Sequence, residues 1–151
     1  MRWSKLKQQV EAMFAAGVRG RVELRTTRYE KAHDRFGRSW ITFDGREVAN
    51  MSNYLACGGS IADGNPARFA SGVFAGYDLP SAMREYLTLS IDEAIASPNP
   101  LIRALAVLDR RAGERRLARI DPDHEVPIVR ELLEVRRSAR GGPAAAANAD
   151  D

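Results

Sequence analysis

Four side chains in this sequence could take part in acid–base or nucleophilic chemistry. His33 and Asp34 are adjacent and could form a general base with its orienting carboxylate, and Cys57 could act as a nucleophile beside a histidine. Nothing in the spacing shows that His33 or His124 meets Cys57, and adjacent residues in an extended loop usually point apart. An enzyme using His33, Asp34 or Cys57 is therefore an alternative hypothesis, and no catalytic residue is assigned.

The sequence carries no cofactor or metal motif. A phosphate-binding glycine loop, a dinucleotide fingerprint and a nucleophile elbow are all missing. One cysteine and two histidines make no recognisable zinc set, and a single cysteine cannot form an internal disulfide. We predict no cofactor, no metal and a reducing environment.

A dense group of arginines offers binding chemistry instead. We call residues 110–119 the arginine bend, which contains Arg110, Arg111, Arg115, Arg116 and Arg119. Two interpretations stay open: a solvated face paired with Asp109 and Glu114, or contact with an acidic protein or a nucleic acid. Arg21 and Arg25 on a predicted strand could extend the same basic surface.

The helix that should position the bend begins at Asn99. Asn99 can accept a hydrogen bond from the first helical turn, and Pro100 has a preset φ. Placing residues at 100° per step predicts one face on the core and an opposite face away from it. The core face holds Leu101, Leu105 and Leu108, and the opposite face holds Arg103, Val107 and Arg110.

This helix is expected to stop near Ala112. If it continued past Gly113, the later arginines would rotate toward the leucine face, where unpaired guanidinium groups are costly to bury. Gly113 is therefore expected in the left-handed position after the helix, with Leu117 and Ile120 anchoring a second short turn.

The first part of the chain predicts a helix. Ser4 is expected to cap it, with Trp3 packing back from just before the cap, and Gly17 and Gly20 are expected to end it. Its apolar face holds Leu6, Val10, Met13 and Phe14.

An antiparallel meander should follow that helix. Arg21–Tyr29 and Arg38–Asp44 alternate in the way half-buried strands do, and Arg46–Ser52 should be the third strand. Asp44-Gly45 between the last two is typical of a type I′ hairpin turn, which needs positive φ at both central residues.

The middle of the chain, Asn53–Leu79, reads as irregular, and only Ala67–Phe74 suggests a further short strand. A loop this long is either functional or a misreading. Helices resume at Pro80, and Ser90 and Glu93 match a capping box.

The last helix is expected to open at Pro127. Its apolar face holds Ile128, Val129, Leu132 and Val135. The whole predicts one α+β domain over residues 1–140: an N-terminal helix, a three-stranded antiparallel meander and a C-terminal helical cluster. Residues 141–151 form a low-complexity tail that should be disordered.

Charge is unevenly distributed along the chain. Lys and Arg number 23 against 20 Asp and Glu, so the net charge is only +3, too small by itself to indicate a nucleic-acid partner. Residues 1–50 carry eleven basic and six acidic side chains, residues 51–99 two and five, and residues 100–140 ten and seven. Two explanations fit basic ends and an acidic middle equally well: the segments pack against each other within the chain, or the basic ends bind an external polyanion.

No segment predicts membrane insertion or export. The N-terminus lacks the apolar run of a signal peptide, and no stretch approaches the roughly twenty apolar residues of a membrane helix. We expect a soluble, cytoplasmic protein that does not bind membranes.

Three blocks resemble a family of short bacterial proteins with no established activity. The blocks are the opening RWSKLK, the strands GRVELRTTRY and HDRFGRSWITFDGREV, and the late LIRALAVLDRRAGERRL. The resemblance implies that residues 1–140 form one unit and carries over no functional residue.

The leading hypothesis is a non-enzymatic binding or accessory module. It would recognise an acidic partner through the arginine bend together with Arg21 and Arg25. The alternative is a nucleic-acid-binding protein that uses the same arginines, against which stands the lack of exposed aromatic pairs at strand spacing.

Overall fold

The computed structural model describes residues 1–28, 37–52 and 72–139. Within them the order is an N-terminal helix, a three-stranded antiparallel sheet and a cluster of helices, which confirms the predicted α+β class. The helices are α1 (Trp3–Glu11), α2 (Asp78–Tyr86), α3 (Ile91–Ile95), α4 (Pro100–Leu108), α5 (Glu114–Leu117) and α6 (Pro127–Ser138), and the strands are β1 (Val22–Arg28), β2 (Gly37–Phe43) and β3 (Arg46–Ser52).

Helix α1 differs from the prediction at both ends. It begins at Trp3, and its N-cap is Arg2, without a side-chain hydrogen bond, so the prediction of Ser4 as the cap was wrong. It ends at Glu11, well before Gly17. The predicted packing is confirmed, since Leu6, Val10 and Phe14 are fully buried and Trp3 packs against the core.

The sheet confirms the predicted meander. Strand β2 lies between β1 and β3 and is antiparallel to both. Asp44 has φ 51° and Gly45 has φ 81°, as the predicted hairpin turn requires. On the inner face Leu24, Ile41 and Met51 are buried in the core.

Two side chains of α1 cover the outer edge of β1. Glu11 Oε1 accepts the backbone N–H of Leu24 at 2.8 Å, and Lys7 Nζ donates to the Leu24 carbonyl at 3.0 Å. Lys7 and Glu11 also pair with each other at 2.7 Å. Both outward backbone groups of Leu24 are thus satisfied, which protects this edge from pairing with another chain.

Replacing Glu11 with alanine should uncover this edge. We expect the free energy of unfolding to fall by about 1 kcal/mol, since one hydrogen bond to a backbone donor is lost. The Leu24 amide should also exchange with solvent faster, which hydrogen exchange followed by NMR would measure. Gln9→Ala, at an exposed position of the same helix, is the control. Equal Leu24 exchange in both variants would contradict the role of Glu11.

Helix α4 is buried on all sides, which corrects the prediction of a face turned away from the core. Val107 is fully buried, and the side chain of Arg103 is only 19% exposed. Arg103 makes two 2.8 Å hydrogen bonds to Glu125, whose side chain is 12% exposed. The helix packs against α2, α3 and α6. A helical wheel reports the period of one helix and not the number of elements that surround it.

The end of α4 also differs from the prediction. The helix ends at Leu108 rather than near Ala112, and Asp109 is extended, with φ −72° and ψ 135°. Gly113 has φ −78° and is the N-cap of α5, so the left-handed position predicted for it was wrong. Leu117, at the end of α5, is buried as expected.

Backbone pairing with the loop after α1 explains the early end. Asp109 forms an antiparallel bridge with Phe14. The Ala15 N–H donates to the Leu108 carbonyl at 2.8 Å, and the Arg110 N–H donates to the Met13 carbonyl at 2.9 Å. These non-helical partners hold the chain extended at Asp109.

Three other predicted helix starts are confirmed, whereas α2 begins at Asp78, two residues before the predicted start at Pro80. Asn99 Oδ1 accepts the Leu101 N–H at 3.0 Å, and Ser90 and Glu93 form a reciprocal capping box at α3. Pro127 is the first residue of α6.

The predicted strand Ala67–Phe74 falls only partly on described residues, and residues 72–74 are not in a strand. The rest of that segment and the predicted tail over 141–151 lie outside the described residues. None of the described helices combines the length and the apolar character needed to cross a membrane.

Candidate functional site

Of the residues considered for catalysis, only His124 lies in the part of the chain that the structure describes. His33, Asp34 and Cys57 lie outside the described residues. The His124 side chain is 84% exposed, and its Nδ1 lies 2.6 Å from the Asp121 carboxylate. In the part of the chain that the structure describes, no three His, Cys, Asp or Glu side chains gather as a metal site requires.

The arginine bend is organised around a buried carboxylate. Asp109 is fully buried and accepts hydrogen bonds from the Tyr86 hydroxyl, from the Arg111 backbone N–H at 2.7 Å and from Arg111 Nη2 at 2.7 Å. Tyr86 is also fully buried, while the Arg111 side chain keeps 34% exposure. We call these three residues the Asp109 network. The Arg111 guanidinium is therefore engaged by the fold itself.

The ionisation of the Asp109 network is fixed at neutral pH. Burial raises the pKa of Asp109, but hydrogen bonds from Arg111 and Tyr86 outweigh burial and hold that pKa below its usual value. Burial, and then the hydrogen bond to Asp109, raise the pKa of Tyr86 well above its ordinary range. The hydrogen bond to Asp109 likewise raises the pKa of Arg111. The network has no proton to exchange near pH 7, which fits a structural role.

Arg136 of α6 caps the C-terminal end of α4. Its guanidinium donates to the carbonyls of Val107, Asp109 and Ala112 at 2.7, 2.9 and 3.0 Å. Such carbonyls have lost their helical partners. Burial lowers the pKa of Arg136, although a guanidinium stays charged at any physiological pH. The sequence analysis gave it no role, yet its position four residues after Leu132 places it on the apolar side of α6.

Two arginines of the bend share one exposed carboxylate. Arg116 contacts both oxygens of Asp92, at 2.9 and 3.2 Å, and Arg119 Nη1 lies 3.1 Å from Oδ1. The hydrogen bond from Arg116 is the largest of the effects that lower the pKa of Asp92. Asp92 lies in the first turn of α3, so only packing of α3 against the bend brings the three side chains together. The Arg119 side chain remains 63% exposed.

The two arginines near the sheet are each paired locally. Arg21 makes a two-pronged contact with Asp44, at 2.9 and 2.6 Å, and its guanidinium lies 4.7 Å from the Phe43 ring centre. Arg25 Nη2 lies 2.8 Å from Glu23. Each of these two guanidinium groups therefore has a carboxylate partner of its own.

Arg110 meets a second arginine from another loop. Arg110 Nη1 and Arg19 Nη2 both donate to the carbonyl of Ala12, at 2.8 and 3.2 Å. Arg19 Nη2 also lies 3.4 Å from the Phe14 carbonyl. Both residues are exposed, and we call them the arginine pair. Nothing local in the sequence indicates that residues 19 and 110 share an acceptor.

Arg115 is the remaining arginine of the bend. It lies in the first turn of α5 and is exposed. Among residues 1–28, 37–52 and 72–139 no carboxylate forms an ion pair with it, nor with either member of the arginine pair. The bend therefore divides into Arg111, which is held inward, Arg116 and Arg119, which contact Asp92, and Arg110 and Arg115, for which the described residues provide no carboxylate partner.

Comparison with known proteins identifies a family. The model of the SF0329 protein family matches residues 2–58 and 62–137, which is most of the chain. These ranges include the N-terminal, strand and late blocks on which the sequence resemblance rests. No curated protein and no solved structure matches the chain.

Proposed function

We propose that this chain, which belongs to the SF0329 protein family, is a cytoplasmic, non-enzymatic binding module that recognises an acidic surface of a partner protein. The contact residues are the exposed arginines of the bend, chiefly Arg110 and Arg115. Arg119 can join them, because most of its side chain is in solvent and its carboxylate partner is shared with Arg116.

This proposal rests on the unequal pairing of the arginines in the bend with carboxylates. An arginine that already has a carboxylate partner gains little from a second one, whereas an unpaired guanidinium offers five N–H donors and a full charge. Among the described residues neither Arg110 nor Arg115 has a carboxylate partner, and Arg110 gives one of its N–H groups to the Ala12 carbonyl. Their backbones are set by the extended residue Asp109 and by α5, so their positions relative to each other are defined by the fold.

A protein partner fits the charge distribution better than a nucleic acid does. A surface that follows a phosphate backbone needs a continuous row of cations. Here Arg21, Arg25 and Arg116 each lie within 3 Å of a carboxylate oxygen, so acidic groups interrupt the row. Isolated cations among mixed charges are typical of a protein–protein surface.

Replacing Arg110 and Arg115 together with serine tests the proposal. We expect a partner captured from lysate by the wild-type chain to be lost by this double variant, and to survive nuclease treatment. The partner is then identified by mass spectrometry and purified, and its affinity for both forms is measured. Arg130→Ser, at an exposed position of α6, is the control and should bind like wild type. Arg111 is left intact, because its loss would disturb the Asp109 network.

Two outcomes would contradict this function. Capture that vanishes with nuclease, with an affinity that falls steeply with salt, would assign the arginines to nucleic acid. Binding of the purified partner that is equal in the wild type and the double variant would exclude the bend as the contact surface.

A further inference from the structure

The arginine pair brings two positive charges together at one point of the surface. Arg19 comes from the loop between α1 and β1, and Arg110 comes from the loop between α4 and α5. Their hydrogen bonds to the Ala12 carbonyl measure 3.2 and 2.8 Å, so the two donating nitrogens lie within about 6 Å of each other. Like charges at this separation repel unless something binds between or beside them.

The fold holds both arginines in place. The Arg19 N–H donates to the Ala15 carbonyl at 2.9 Å, and the Arg110 N–H donates to the Met13 carbonyl at 2.9 Å. Ala12 is the C-cap of α1, where backbone carbonyls carry partial negative charge and attract cations. The shared carbonyl thus positions the two guanidinium groups without neutralising them.

Most donors of the pair remain available. Each guanidinium has five N–H groups, and the carbonyls of Ala12 and Phe14 occupy only a few of them. Both side chains are exposed, so a ligand can reach them from solvent. Two adjacent guanidinium groups with free N–H donors match the oxygens of a single carboxylate or phosphate group.

We infer that the arginine pair is an oxyanion site, which takes one carboxylate or phosphate group between Arg19 and Arg110. The inference deepens the proposed function and rests on it for the assumption that the partner offers an oxyanion. It adds Arg19, which lies outside the bend, and it assigns to the pair a ligand small enough to be tested without the partner.

Titration of the full chain with inorganic phosphate tests the site directly. In a ¹⁵N-labelled sample the Nε–H resonances of Arg19 and Arg110 should shift together and saturate with one dissociation constant. Arg19→Gln and Arg110→Gln should each weaken binding about tenfold, since each removes charge-assisted hydrogen bonds. The double variant should bind more weakly than either single variant, because each arginine donates its own hydrogen bonds to the one ion. Arg130→Gln, at an exposed position of α6, is the matched control and should leave the constant unchanged.

A wild-type chain whose Arg19 and Arg110 resonances do not saturate would overturn the inference, whatever the variants do. Equal phosphate affinity in the wild type and in both single variants would overturn it as well. A parallel titration with a short blocked peptide of two glutamates identifies the source of the group. Tighter binding of the peptide indicates a protein carboxylate, and tighter binding of phosphate indicates a phosphate ester; both support the site.

The inference and the proposed function can fail separately. If phosphate and peptide both fail to bind while the Arg110/Arg115 variant still loses its partner, the oxyanion site is wrong and the binding module stands. If the arginine pair binds the probes while partner capture is unaffected by the bend, the site stands and the proposed function is wrong.

Discussion

Replacing Asp109 with alanine should lower the free energy of unfolding by about 3–4 kcal/mol, because one partner of a buried charge pair is removed. The Tyr86 hydroxyl would lose its acceptor in a fully buried position, and the Arg111 backbone N–H and guanidinium would lose theirs. The effect stays below the largest values for buried pairs, since Arg111 is 34% exposed and water can reach part of it. Urea denaturation followed by circular dichroism would measure the change.

Asp92→Ala provides the matched control for Asp109→Ala. Asp92 also pairs with arginines of the bend, but its side chain is 54% exposed. Exposed ion pairs contribute little, so the urea midpoint should hardly move. Equal midpoints for Asp109→Ala and the wild type would show that the network does not stabilise the fold.

The same network predicts how stability responds to acid. The pKa of Asp109 is lower in the folded chain than in the unfolded one, so its contribution is complete above the unfolded value, near pH 4. That contribution is lost as the pH falls through the folded pKa, since the carboxyl must then be protonated. Asp109→Asn should therefore show a flatter decline of stability below about pH 4 than the wild type does. If the stability of both proteins declined in parallel with falling pH, Asp109 would not be the cause of the acid dependence.

Replacing Gly76 with alanine should cost about 3 kcal/mol, at the upper end of what inserting a methyl group into a packed site costs. The added Cβ would collide with the carbonyl oxygen of Gly37 and lie 2.7 Å from its carbon and 3.1 Å from the Arg38 nitrogen. All three are backbone atoms of β2, so no side-chain rotation can relieve the collision. The same approach lets Ser39 Oγ donate to the Gly76 carbonyl at 2.5 Å inside the core. Thermal unfolding and the amide exchange of β2 would both report the change.

Gly113→Ala is the control for Gly76→Ala. An added Cβ at Gly113 meets no atom within 4 Å, and the φ of −78° is ordinary for alanine. The expected loss is about 1 kcal/mol or less, since glycine is a better N-cap than alanine. Similar losses at both positions would mean that residue 76 is not in the close contact described here.

The Asp109 network changes how the bend must be tested for function. A variant lacking Arg111 would combine a folding defect with any binding defect, and the two would be hard to separate. Arg110 and Arg115 avoid this problem, because neither supports a buried group through its side chain. A functional variant should also retain Arg136, whose three hydrogen bonds finish α4.

Local features of this protein were determined by the sequence alone. The Asn99 cap, the Ser90 and Glu93 capping box and the Asp44-Gly45 turn each depend on residues at most a few positions apart. The order of helix, meander and helices followed from the same short-range periods.

Only the tertiary structure decided which of the described arginines pair with a carboxylate. Arg116 finds Asp92 at a sequence separation of 24, and Arg103 finds Glu125 at a separation of 22. Arg110 reaches the Ala12 carbonyl across a sequence separation of 98 residues and meets Arg19 there. Periodicity along one element says which side a residue occupies, but charge neutralisation depends on what packs against that side. The sequence therefore showed that arginines are concentrated here, and the fold separated those that pair with a carboxylate from those that have no such partner among the described residues.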